Sequence, residues 1–534
     1  MESIFFYDTT LRDGTQGEKI NFTANDKLKV ALKLDSLGIH YIEGGWPGAS
    51  SKDWEFFQMA ASHRFENAKL TAFGCTHKHG IRPEEDRHLN AIIESRVRVG
   101  TIFGKSWDLH VEKILGISLD ANLAMIYDSI AYLKENDLEV HYDAEHFFDG
   151  YLENPAYAAK TIEAAARAGA DAIVLCDTNG GNLPHDIERI VGEIRPVIEA
   201  ASDTSVLIGI HCHNDSNLAV ANSIAAVRAG ARIIQGTING YGERCGNADL
   251  MSLIPIMKLK MGYACISDEN LKNLQRVSLF VSETANMTPI NSRPFTGKSA
   301  FAHKGGIHVH AIMKEPRAYE HMDPELVGNR RRVLISDMGG KSNIEYKAKE
   351  MGIAIDGAGS SNIISEIKRL EQDGYQFDVA DGSFKIIMEK LTNQFKPHFE
   401  LESFRVTIEK DKDQPAHSHA MIKINVDGEE EITAAEGNGP VSALDNALRK
   451  ALYHIYEDIL GPIHLVDFKV RVIEGREGTS ARVRVLIDTR DEDSIWSTIG
   501  VSEDIIEASW QALSDSFQYK LGKIKSDPLN GKKS

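Results

Sequence analysis

Residues 155–176 read PAYAAKTIEAAARAGADAIVLC. Residues 155–168 have a helical pattern, and Gly169 follows where a helix C-terminus favours glycine. Residues 172–176 are a short apolar run of strand length. The same unit repeats outward in both directions. Strands are expected at 4–8, 40–43, 70–74, 97–102, 139–144, 172–176, 207–213 and 232–237. Helical patterns at 24–37, 119–135 and 217–229 follow others of these runs, and Gly38 and Gly230 again stand before the next strand. Eight strands alternating with helices specify an α/β chain folded as a (β/α)8 TIM barrel. A doubly wound open sheet fits less well. Polar residues collect at the C-terminal ends of many strands and not at one switch point.

The alternation stops near Cys265. Helical and loop segments follow, with a polar loop at 289–310 and a basic turn at Arg330–Arg332. After Phe399 the pattern is strand, strand, strand, helix, and it occurs twice. The first copy has strands at 404–409, 419–426 and 430–435 and a helix opening at Gly439-Pro440. The second has strands at 467–473, 481–488 and 494–500 and a helix from Ser502. The expected organisation is a catalytic barrel over 1–265, helical linker and lid subdomains over 266–397, a C-terminal α+β regulatory and dimerisation domain over 398–522, and a flexible tail over 523–534.

Composition narrows the function. The chain has 534 residues, 42% hydrophobic and 26% charged, with a net charge of −18. That charge argues against nucleic acid as a partner while leaving room for a local basic pocket. No apolar run has the length of a membrane span. Met1 to Tyr7 lacks the features of a signal or transit peptide, so a cytoplasmic protein is expected. The five cysteines include no CxxC pair and are odd in number, which fits reduced thiols better than disulfides or a thiolate zinc site.

Strand seven ends in Ile210-His211-Cys212-His213-Asn214-Asp215. Side chains at i and i+2 share a strand face, so His211 and His213 point together at the end where barrel enzymes assemble their sites. Two imidazoles on one face suit a divalent metal, although a polar pair at the mouth is the plainer alternative. Strand one ends in DTTLRDGTQ (8–16), where Asp13 offers a carboxylate and Arg12 a charge for a developing oxyanion, unless the two form a local ion pair. After strand eight comes GYGERCGN (240–247), either a backbone cradle or a tight turn with Asn247 capping a helix. Strands one, seven and eight are neighbours in a closed barrel, so these groups can converge.

Together DTTLRDGTQ, HCHND and GYGERCGN resemble the metal-dependent barrel enzymes that include the 2-isopropylmalate, homocitrate and citramalate synthases. The resemblance implies an acyltransferase joining acetyl-CoA to a small 2-keto acid. It implies that Asp13, His211, His213 and Asn247 bind a divalent metal (Mg, Mn, Zn or Co) and that Arg12 contacts the keto oxygen. Glu145 resembles an active-site carboxylate, and Thr178 the hydroxyl that holds the keto acid's carboxylate. Gln16 and Glu43 are further candidates for substrate contact. FAHKGGIH (301–308) resembles a loop that closes over the site, with His303 and His308 as acid–base candidates beside Glu145. Gly437-Asn438-Gly439-Pro440-Val441 resembles the family's allosteric domain, implying a homodimer with an amino-acid effector, isoleucine favoured. The string Gly44-Gly45-Trp46-Pro47 resembles the citramalate branch, where isopropylmalate synthases carry a phenylalanine-proline version. That implies pyruvate as the keto acid, with 2-ketoisovalerate and isopropylmalate synthesis as the alternative. A metal-dependent acyl-CoA lyase and a metabolite-sensing barrel without catalysis are more distant readings.

Overall fold

The computed structural model describes residues 2–336, 339–355, 357–413, 415–473, 481–491 and 494–525. Strands β1 (Phe5–Asp8), β2 (Tyr41–Gly45), β3 (Lys69–Cys75), β4 (Val99–Lys105), β5 (Glu139–Glu145), β6 (Ala172–Asp177), β7 (Leu207–Cys212) and β8 (Ile233–Gly236) form a closed barrel in sequence order. Every pair is parallel, and β8 returns to β1 with Phe5 opposite Ile233. The strands fall where the alternation places them. The helix Ala24–Leu37 shows why the outer layer forms. Thr23 and Asp26 make a capping box, Leu28, Ala31 and Leu34 face inward, and Gly38 ends the helix with a φ of 89°.

The barrel interior is packed, not hollow. Near its N-terminal end Tyr41, Val99, Ala172 and Ile233 form an apolar plug around Tyr7. The Tyr7 hydroxyl lies 2.7 Å from Glu43 Oε2, 2.7 Å from Thr71 Oγ1 and 2.8 Å from Thr101 Oγ1, so each strand from β1 to β4 is tied to one buried phenol. Burial and the neighbouring Glu43 push that phenol's pKa well up, so it stays protonated and donates.

The chain divides into two compact units, 1–301 with 322–330, and 302–321 with 331–534. In the first, the barrel's hydrophobic core continues past Cys265 through Leu274, Val277, Val281 and Phe295. In the second, a short parallel pair, β9 (Ala302–His303) and β10 (Arg332–Val333), precedes three helices, Lys341–Met351, Gly357–Gln372 and Asp381–Leu391. The segment expected as a basic turn at 330–332 thus runs into β10. Arg331 there makes two bonds to the buried Glu320, at 2.7 and 2.6 Å.

The repeated three-strand-and-helix pattern is present. Strands β11 (Glu400–Glu409), β12 (His417–Val426) and β13 (Glu429–Gly437) form an antiparallel sheet followed by the helix Pro440–Leu460. Strands β14 (His464–Val472), β15 (Val483–Arg490) and β16 (Ile495–Ser502) form a second, followed by Ile505–Lys525. One face of β12, with Ala420, Ile422, Ile424 and Val426, packs in a core with Leu444, Leu448 and Leu452 of the first helix. Such strict alternation is the period-2 signal of a half-buried strand. The last helix runs on to Lys525, and the rest of the expected tail, 526–534, lies outside the described residues. Among the described residues no helix is long and apolar enough to cross a membrane.

Candidate active site

A cavity of about 240 Å³ opens at the C-terminal end of the barrel. Arg12, Asp13, Gln16, Glu145, Thr178, His211 and His213 all line it. His211 ends the inward face of β7. The backbone of His213 continues as an isolated bridge to Asn247, which brings strands seven and eight together beyond their ends. His211 Nε2 lies 3.3 Å from Asp13 Oδ2 and 3.3 Å from His213 Nε2. Among the described residues, Asp13, His211 and His213 are the one group of His, Cys, Asp and Glu side chains close enough to share a metal ion, and all three are buried. Asn247 is also buried. Its Nδ2 donates to the Tyr241 carbonyl (3.1 Å), and its Oδ1 has no hydrogen-bond partner among the described residues. The loop needs Gly242 here, because a Cβ on it would stand 2.2 Å from Asn247 Nδ2. Asn247 does not cap the following helix. The side chain of Asp249 does, accepting from Met251 N.

The electrostatics fit a cation. Burial opposes ionisation of Asp13, but Arg12 and the two histidines hold its carboxyl well below the usual range. Burial and the adjacent His211 push His213 down to about 4, so its ring is neutral with a free lone pair at neutral pH. Burial and the charge of Glu43 push Asp143 up to about 7. Three buried carboxyl groups, Asp13, Glu43 and Asp143, thus surround one guanidinium. Burial opposes a charge on His211, but Asp13 and Asp143 outweigh it and raise its pKa. Two imidazoles, one carboxylate and an amide oxygen suit a divalent cation, which would displace that proton. Gln235 orients the pair. Its Nε2 donates to Asp143 Oδ1 (2.9 Å), so its Oε1 faces His211 Nδ1 (2.8 Å) and fixes the proton there. In the neutral ring His211 Nε2 is then the lone-pair atom.

Arg12 is held from three sides. Its Nε donates to Glu43 Oε1 (2.6 Å), its NH1 lies 3.8 Å from Asp13, and its guanidinium carbon sits 3.8 Å from the centre of the Phe73 ring. The two Glu43 oxygens are taken by Arg12 and by Tyr7, so this residue lies beneath the cavity as the support of Arg12. Thr178 Oγ1 accepts the His146 N–H (2.9 Å), which leaves its own proton to donate. Glu145 forms an ion pair with Lys105, its direct register partner on β4. His303 and His308 belong to the second unit. His303 Nε2 lies 3.1 Å from Glu320 Oε1, and His308 stacks on Tyr319 at 4.2 Å between ring centres.

Comparison with known proteins adds to this geometry. The HMGL-like family model matches residues 3–281, a model described as homocitrate synthase post-HMGL domain-like matches 295–375, and the LeuA allosteric (dimerisation) domain matches 378–521. The (R)-citramalate synthase of Geobacter sulfurreducens is 51% identical over 536 residues, covering 100% of both chains. That of Aquifex aeolicus is 50% identical, covering 99% of each. The chain belongs to the (R)-citramalate synthase family. A third relative of that name, from Synechocystis, is 48% identical and covers 97% of this chain and 96% of its own.

Other residues at this citramalate-synthase-type mouth escaped the sequence reading. Phe73, Phe103, Asp143, Cys176 and Arg244 line the cavity as well, beside Trp46 of the Gly44-Gly45-Trp46-Pro47 string. Arg244 pairs with Asp215 (2.8 Å) and donates to the Thr178 carbonyl (2.8 Å). One signal was available. Asp143 stands two residues before Glu145 on the same strand and therefore shares its face.

Proposed function

We propose that this protein condenses acetyl-CoA with pyruvate and water to give citramalate and CoA. One observation carries the reading: a metal-type ligand set and a fixed guanidinium share one small cavity, on a chain that matches citramalate synthases end to end. Asp13, His211, His213 and Asn247 would hold a divalent metal, which when bound polarises the keto group of a 2-keto acid. The Thr178 hydroxyl donates to the substrate carboxylate. Arg12, with Nε committed to Glu43, turns its remaining N–H groups to the negative charge that develops on the keto oxygen. A base removes a proton from the acetyl methyl, and that carbon bonds to the keto carbon. Water then cleaves the thioester and CoA leaves. Glu145, which lines the cavity beside Lys105, is one candidate for the base, with His303 and His308 as the others. The five free cysteines fit a reducing cytoplasm.

Release of free thiol from acetyl-CoA with a panel of keto acids tests this. Pyruvate is expected to give the highest kcat/KM, exceeding 2-ketoisovalerate by roughly tenfold or more, since methylene differences in an apolar pocket are worth about that much. A preference for 2-ketoisovalerate would make the protein an isopropylmalate synthase.

The C-terminal domain is proposed to dimerise and to bind an amino acid, isoleucine in the first place, as the end product of the route that citramalate feeds. The match to an allosteric, dimerising domain supports this, as do the exposed apolar side chains Ile408, Met421 and Ile432 on its first sheet. Calorimetric titration of the intact enzyme should show isoleucine binding more tightly than leucine or valine, and sedimentation should give a dimer. Binding of none of the three at millimolar concentration would remove the regulatory reading.

A further inference from the structure

Trp46 is held at both ends. Its backbone N–H donates to Asp53 Oδ2 (2.9 Å), and Asp53 pairs in turn with the buried Lys27, which also donates to the Gly44 carbonyl (3.1 Å). Asp53 sits so close beneath the loop that a Cβ on Gly45 would lie 2.4 Å from its carboxyl carbon, and Gly45 itself has a φ of +138°. The indole end is tied to a different element. Its Nε1–H donates to His88 Nδ1 (3.1 Å) on the helix Arg87–Glu94. Gly48 permits this approach, because a Cβ there would stand 2.8 Å from that same nitrogen.

Held in this way, the indole meets Phe73 and Phe103 edge-on, with ring centres 5.7 and 5.8 Å away. Phe73 and Phe103 stack on each other at 5.6 Å. The three rings make one cavity wall, and Arg12 rests on Phe73 within it. His88 is not among the residues lining the cavity; it stands behind the wall.

We propose that Trp46 is the wall that limits the size of the keto acid's side chain, and that His88 is a positioning residue that sets this limit by fixing the indole. The proposal rests on the reading of the cavity as a 2-keto acid site. A ring packed edge-on against two others and hydrogen-bonded at its far end has no free rotamer to yield. Each added methylene on the substrate must then overpack the wall or move the loop. Without the His88 acceptor the indole N–H loses its partner and the ring can turn aside, so discrimination weakens although no lining residue has changed.

The test is a competition between pyruvate and 2-ketobutyrate in one vessel, with the ratio of the two products read by mass spectrometry. That ratio reports relative kcat/KM and does not depend on how much enzyme is folded. Trp46→Leu is expected to raise the 2-ketobutyrate share by roughly tenfold or more. His88→Leu, which keeps bulk without the acceptor, should raise it by about fivefold, the equivalent of one ordinary hydrogen bond. His88→Asn places an amide oxygen where Nδ1 lies and should return the ratio towards the wild-type value. Trp46→Phe, which removes the donor but keeps a ring, replaces the leucine variant if that one does not fold, and should shift the ratio in the same direction. An unmoved ratio in the Trp46 and His88→Leu variants would overturn the proposal. So would His88→Asn and His88→Leu behaving alike. Wild-type enzyme that favours 2-ketoisovalerate would overturn the parent reading instead, which separates the two failures.

Discussion

Replacing His211 and His213 together by alanine is expected to remove bound divalent metal and to lower kcat/KM by about 10³-fold or more. A metal's stabilisation of developing charge is worth several kcal/mol, and each ~1.4 kcal/mol is a factor of ten. The geometry makes the loss severe, because the two Nε2 atoms and Asp13 Oδ2 converge on one point and no other described His, Cys, Asp or Glu group is close enough to replace them. The fold should survive. The new defects are the Gln235 Oε1 left without its imidazole partner, a buried unsatisfied acceptor costing about 1–3 kcal/mol, and the buried Asp13 carboxylate left to Arg12 alone. That cost is less than the ~5–15 kcal/mol by which domains are ordinarily stable. Metal content by mass spectrometry, circular dichroism and the thiol assay together check this. Full activity in a folded, metal-free double variant would sink the assignment of the ligand set.

The legibility of this site in the sequence follows the range of the interactions. His211 and His213 were readable because a two-residue strand period is a local property. Asp13 and Asn247 needed the barrel's closure, which pairs residues 228 apart in sequence; in β1 and β8 Tyr7 stands opposite Gln235. Lys105 was missed for a different reason. The expected fourth strand stopped at residue 102, whereas β4 runs to Lys105, and only that extension sets Lys105 opposite Glu145. Strand ends carry few pairing contacts, so periodicity fixes them poorly. Glu43 was read as a substrate contact because it stands at a strand end. Its partners, the Tyr7 phenol below and the Arg12 side chain above, are set by three-dimensional packing that no spacing encodes. His88 lies on an eight-residue helix, too short for a period to show, and its bond to Trp46 spans 42 residues. The short strand β10 gave no signal either, since two residues contain a single alternation.

Arg12→Lys is expected to lower kcat by about 10²- to 10³-fold, the usual cost of one well-placed donor to a developing oxyanion, with a much smaller change in the keto-acid KM. Lysine keeps the charge, so a role in long-range attraction of an anionic substrate would be spared. It loses the fork. In the native site Nε is bonded to Glu43, the flat face lies on Phe73, and the two terminal nitrogens are left for Asp13 and the cavity. A single ammonium cannot hold the Glu43 bond and face the keto oxygen at once. Glu43→Gln tests the same arrangement from below. The glutamine has the shape of the carboxylate but no charge, so Arg12 loses its closest counter-ion in a buried setting. Breaking such a pair costs about 3–5 kcal/mol when the remaining charge stays buried. The variant should therefore melt earlier and also lose kcat. If Arg12 acts on the transition state, both substitutions depress kcat and leave KM within a few-fold. An Arg12→Lys enzyme with undiminished kcat and only a raised KM would instead place the guanidinium in ground-state binding of the substrate, and Glu43 would then be a support for affinity and not for rate.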